Sequence, residues 1–240
     1  MYRKELTARS PLRIFERTIH GGLGRSNIGV VFSRAGVGKT AFLVGVALDD
    51  LLQGSRVLHV SIGDDVEHVR AFYDEVFNDL VRTTDLSDPA AAHLLVERHR
   101  YIHTFRGGSF SFSKLRDSLG FLKDHAQFVP GLVIIDGYPS FDITVADDQL
   151  RAEMLKLRDL AKDHDVELWL SALSHRDDTE VDSRGVPTKI ARVEQEISVL
   201  VCLEPQSDHV KLKLIKDHEN PEVADLHMEL DPTSLLLKWH

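Results

Sequence analysis

Ser33-Arg34-Ala35-Gly36-Val37-Gly38-Lys39-Thr40 lies between an apolar run, Ile28 to Phe32, and a segment of helical period that opens at Ala41. A strand, a glycine-containing turn and a helix in that order bring successive backbone N–H groups to a helix N-terminus, where the dipole also favours negative charge. Gly36 and Gly38 permit close backbone approach, Lys39 would reach the outer phosphates as a point charge, and the Thr40 hydroxyl would take one position on Mg²⁺. The stretch therefore predicts a polyphosphate-binding loop built from Ser33, Arg34, Ala35, Gly36, Val37, Gly38, Lys39, Thr40 and Ala41. The usual pattern begins with glycine, and Ser33 stands in that position here.

On either side of the loop, apolar runs bounded by turn residues alternate with longer segments of helical period, which predicts crossover-linked parallel strands. Five such strands are expected: Ile28 to Phe32, Arg56 to Ile62, Arg100 to Phe105, Leu132 to Asp136 and Val166 to Leu173. Helices are expected over Lys39 to Gln53, Val66 to Arg82, Ser113 to His125 and Asp147 to His164, the last with Leu150, Met154, Leu157 and Leu160 on one face. Beyond Leu173 a polar segment, Ser174 to Arg192, leads into Ile197 to Leu203, Val210 to Ile215 and two short strand candidates ending at Trp239. The short gaps between those runs predict antiparallel hairpins.

A chain of 240 residues with no linker-like stretch reads as one large α/β domain, residues 21–240, behind an N-terminal helical extension, residues 1–20. The formal net charge of −9 argues against a surface that coats nucleic acid. Cys202 is the only cysteine, so no intrachain disulfide can form, which fits a reducing, cytoplasmic setting. No apolar segment approaches the length that spans a bilayer, so no membrane partner is expected.

Leu132-Val133-Ile134-Ile135-Asp136 reads as a buried strand ending in a carboxylate, the place where an aspartate would hold hydrated Mg²⁺ across from Thr40. With this Walker B element downstream of the loop, the chain from Gly21 to Trp239 resembles a RecA-type P-loop ATPase core, most similar to KaiC-like proteins and to the motor domain of DnaB-type helicases. Gly21-Gly22-Leu23, Val57 to Ser61, Ile135-Asp136-Gly137-Tyr138, Leu170 to Ser174 and Val210 to Pro221 match segments of that family. The resemblance implies a three-layer RecA-like fold, ATP and Mg²⁺ as ligands, and a homo-oligomer in which Lys216 and His218 act on the neighbouring subunit's nucleotide.

Three positions depart from the family pattern. Gly63 stands where relatives carry the glutamate that polarises the attacking water, leaving Asp64, followed by Asp65, as the candidate base. Ala172 replaces the polar sensor of the fifth strand, with Ser171, Ser174 or His175 as substitutes. His218 replaces the arginine of a Lys-x-Arg pair and lacks its planar fork. An intact phosphate grip beside weakened catalytic positions implies an ATPase of slow turnover, with Lys39, Asp136 and Asp64 as its catalytic candidates. The alternatives are a non-hydrolysing regulatory or scaffold module with an unidentified protein partner, a phosphotransferase, or a recombinase-like or helicase-like motor.

Other features point to less. In the Ser174 to Arg192 segment, Arg176, Arg184, Lys189 and Arg192 are balanced by Asp177, Asp178, Glu180 and Asp182, and no aromatic is present for base stacking, which disfavours DNA. His99 and His103 are four apart but fall in or beside an extended segment without a third ligand, and read as structural. The glycine-rich stretch between Phe105 and Phe112 reads as a connection.

Overall fold

A computed structural model describes residues 11–84, 86–106, 108–141, 145–173 and 181–239. Residues 1–10 of the N-terminal extension and Ser174, His175, Arg176, Asp177, Asp178 and Glu180 lie outside the described residues. The sheet grows from the apolar runs. β1 (Ile28–Ser33), β2 (Val57–Ile62), β4 (Leu132–Asp136) and β5 (Glu167–Leu173) are buried along nearly their whole length, as strands covered on both faces must be. β3 (Arg100–Phe105) lies at one edge, while β6 (Val199–Pro205), β7 (Val210–Asp217), β8 (Met228–Leu230) and β9 (Leu237–Trp239) extend the other side. The nine strands among the described residues run in the order β3-β2-β4-β5-β1-β6-β7-β8-β9. Pairing is parallel from β3 through β6 and antiparallel from β6 to β9, so β6 is both the last parallel strand and the first arm of the hairpins.

Helices cover both faces, and three of them begin at a side chain that accepts from an early amide. α1 (Pro11–Thr18) precedes β1. α2 (Lys39–Leu52) starts after Gly38, whose φ of 119° only glycine adopts easily. α3 (Val66–Thr83) is capped by Asp65, whose carboxylate accepts from the His68 amide at 2.8 Å. α4 (Pro89–His99) starts behind Asp88, which accepts from the Ala91 amide at 3.0 Å, and has proline in its first turn. α5 (Phe112–His125) is capped by Ser111, and α6 (Asp147–His164) carries Asp147 and Asp148 at its positive end. A short α7 (Thr188–Ala191) precedes β6. One core layer joins α1 to α4 with Val31, Val57, Ile134 and Trp169, while the other joins α5 and α6 with Val30, Leu58, Ile135 and Leu170. Alternate residues of the same strands thus feed opposite layers, giving a three-layer α/β architecture with a mostly parallel sheet.

α1 belongs to the first layer, with Leu12, Phe15 and Ile19 buried and the Phe15 ring edge-on to Phe42 at 5.7 Å. The same packing crowds carboxylates at the end of the sheet away from the loop. Glu16, Asp49, Asp50 and Glu167 gather there, with Arg13 forming an ion pair with Asp49 at 2.8 Å. Burial first, then the neighbouring carboxylates of Glu167, Asp49 and Glu16, push Asp50 up to about 7, against the pull of Arg13. A folded-state value above the unfolded one means the native chain holds this proton more tightly, so stability falls as pH rises from about 4 to about 7. Asp50→Asn is expected to stabilise the protein at pH 8 by about 1–2 kcal/mol and to bring no gain near pH 4, since part of the shift is relieved by solvent. Urea unfolding at the two pH values measures this, and equal effects at both would refute it.

Candidate functional site

The carboxyl ends of the parallel strands carry a row of polar side chains on the α2 face. Ser61 pairs in register with Asp136 across β2 and β4, Ser171 lies beside Asp136 on β5, and Ser33 closes β1. All four are buried. Open α/β sheets offer this end of the strands to ligands because the helix N-termini converge there. β4 and β1 are separated by β5, yet the Thr40 hydroxyl at the start of α2 spans the gap and donates to Asp136 Oδ2 at 2.7 Å. Ser171 Oγ donates to Asp136 Oδ1 at 2.6 Å and accepts from the Gly137 amide at 2.7 Å. Both carboxylate oxygens are therefore oriented by hydroxyls, and Ser171 is a positioning residue. Its sequence signal is a serine on the first-layer side of an otherwise apolar buried strand.

The Ser33–Thr40 loop has Gly36 at φ 74° and Gly38 at φ 119°. At Gly38 the space is closed as well, because a Cβ there would stand 2.4 Å from Leu230 Cδ2 on β8. Gly137 is similarly confined, its Cβ position lying 2.5 Å from the Ile62 carbonyl. The Lys39 ammonium folds over the loop and donates to the carbonyls of Ser33 at 3.1 Å and Arg34 at 3.0 Å. Burial lowers the Lys39 pKa, and the Asp136 charge opposes that shift. Ser33, Lys39, Thr40 and Asp136 are thus brought together, with Ala41 buried as the third residue of α2. Thr40 and Asp136 form an all-oxygen pair of the kind a hydrated Mg²⁺ takes, so the residues fit that ion. Behind the row on β2, His59 is fully buried, 3.0 Å from the Tyr73 hydroxyl through Nδ1, and burial drives it down to about 4, which keeps it neutral.

The other candidate residues lie apart from this set. Asp64 is exposed ahead of α3, while Asp65 caps that helix and pairs with Arg106 at 3.2 Å. Lys216 donates to the Glu194 carbonyl at 2.8 Å within its own chain. His218, at φ 50°, places Nδ1 2.8 Å from Asp217 Oδ1 and donates through Nε2 to the Leu23 carbonyl at 3.0 Å. His20 Nδ1 meets the other Asp217 oxygen at 2.6 Å, and a cleft of about 370 Å³ opens between Gly21–Gly24 and this cluster. Burial alone would raise Asp217, but hydrogen bonds from His218 and His20 hold it below the usual carboxylate range.

In the described part of the polar segment, Arg184 bonds to Asp182 and Glu194, Arg192 to Asp147, and Lys189 to the Val145 carbonyl. These cations are committed to intrachain partners, which lowers what they can offer a phosphate backbone. His99 bonds through Nδ1 to the Leu95 carbonyl and His103 to the Ser118 hydroxyl. The Cys202 thiol is pushed up to about 12, mainly by burial. Among the described residues, no helix is long and apolar enough to cross a membrane. No protein-family model matches the chain, and no curated protein matches it in sequence.

Proposed function

We propose that this chain is an ATP·Mg²⁺-binding protein of the RecA/KaiC type with slow hydrolysis. The observation that carries the reading is the bridge Thr40–Asp136–Ser171 set beside Lys39 and the two left-handed glycines of the loop. Main-chain amides at the start of α2 and the Lys39 ammonium would hold the phosphates, while Thr40 and Asp136 would hold Mg²⁺, which supplies charge neutralisation at the phosphate oxygens. Slow turnover follows from the surroundings of the loop: Gly63 has no side chain to orient water, Asp65 is engaged by α3 and Arg106, and Asp64 is the carboxylate left for the role. Self-association is part of the reading, and it requires Lys216 to leave the Glu194 carbonyl before it can serve a neighbour.

The same exposed Asp64 and the intrachain bonds of His218 favour a second reading, a nucleotide-responsive module that does not hydrolyse. Calorimetric titration with ATP, with and without Mg²⁺, followed by steady-state phosphate release, tests both. The expected outcome is Mg²⁺-dependent binding weakened at least about tenfold by Asp136→Ala, a loss of about 1.4 kcal/mol or more. Phosphate release abolished by that substitution would reject the non-hydrolysing reading, and failure to bind either ATP or GTP would reject both.

A further inference from the structure

Between α3 and α4 the side chains form a compact set of nitrogen and oxygen donors. His93 and Glu97 are four residues apart on α4 and share one helix face, with Asp74 of α3 opposite them. One ligand atom from each lies within 4.8 Å of the other two. His93 Nε2 is 2.9 Å from Asp74 Oδ1, and the Phe77 ring packs against the imidazole at 5.3 Å, limiting its rotation. Glu97 is aligned from both sides, by Arg100 at Oε1 and by Arg70 at Oε2 with a 3.0 Å bond. Outer partners that fix ligand orientation in this way tune metal-binding side chains. The Asp74 and His93 side chains are 45% and 42% exposed, so an ion and its waters have access.

We propose that Asp74, His93 and Glu97 bind a divalent cation of borderline character, Zn²⁺ foremost, which braces α3 against α4. One imidazole nitrogen with two carboxylate oxygens suits Zn²⁺ better than Mg²⁺ or Ca²⁺, which prefer all-oxygen shells, and water completes the coordination. Charge dictates how the ion enters. The Glu97 carboxylate already faces two guanidinium groups, so a dication gains most by displacing one of them. Arg100 is buried and stacked over Tyr73 at 4.5 Å, whereas the Arg70 side chain is 56% exposed and can swing into water. Arg70 is therefore the competitor for Glu97.

This proposal is independent of the nucleotide reading, and its test omits nucleotide. Metal-free full chain is titrated with Zn²⁺ by calorimetry, and thermal midpoints are measured with and without the ion. The expected result is one site per chain, a raised midpoint, loss of both in His93→Ala, and at least tenfold weaker binding in Asp74→Asn. Removing the competing cation in Arg70→Ala should tighten binding about tenfold, as a unit charge a few ångströms away at a surface would predict. Wild type that takes up no Zn²⁺ overturns the proposal, as does uptake unchanged in Asp74→Asn or uptake that Arg70→Ala leaves the same. Should His93→Ala fail to fold, which circular dichroism would show, Asp74→Asn and Arg70→Ala carry the test.

Discussion

Lys39→Ala is expected to weaken ATP·Mg²⁺ binding about 100-fold, a loss of about 3 kcal/mol. The ammonium lies over the loop with the Ser33 and Arg34 carbonyls as its partners, and burial already penalises its charge. A cation that is poorly hydrated before the ligand arrives gains more from a polyphosphate than one in open water, because the attraction is less screened. In the nucleotide-free chain the same substitution exposes two carbonyls that water can reach, so the unfolding midpoint should change little. Titration of both proteins under identical salt conditions decides the matter. Equal affinities would remove the phosphate site from the loop.

Gly29→Ala is expected to destabilise the protein by about 3 kcal/mol, near the upper end for overpacking by a single methyl group. Gly29 pairs in register with Trp169 across β1 and β5, and a Cβ at residue 29 would stand 2.6–2.7 Å from three atoms of the indole. That ring cannot retreat cheaply, because it is held by Phe42 at 5.5 Å and Phe15 at 6.2 Å within a closed layer. Relief therefore requires β1 and β5 to separate, which shifts the strand that feeds the loop. Urea unfolding followed by fluorescence of the buried Trp169 measures the cost. A midpoint within about 0.5 kcal/mol of wild type, the range of a neutral surface change, would show that the indole moves freely.

The sheet was legible because its strands announce themselves twice, by apolar runs and by punctuation. Leu132–Asp136, Arg100–Phe105 and the first residues of β1 have the bounds expected from sequence, and β2 and β5 each begin one residue later than expected. α4 escaped because its buried positions, Ala92 and Val96, give a weak stripe, although Asp88-Pro89 is a recognisable start. Within the candidate site, Lys39, Thr40 and Asp136 could be named as candidates because each follows from a short local pattern, the first two after β1 and the third at the end of β4. The role of Ser171 could not, since it depends on which strand lies between β1 and β4, a fact of sheet order rather than of local sequence. Sequence reading also could not tell that Lys216 and His218 find partners in their own chain. Those partners, Glu194 and Leu23, are remote along the chain and are brought near by the pairing of β7 with β6 and of β6 with β1.

The contact between Gly38 and Leu230 couples two distant parts of the chain like meshed gear teeth. Leu230 is buried on β8, which pairs with β7 and β9, so its Cδ2 methyl is what the turn meets first on moving that way. A shift of the turn toward the ribbon would have to turn that methyl group aside, and a spectroscopic label on β9, at the far margin of the sheet, would report whether the strand follows.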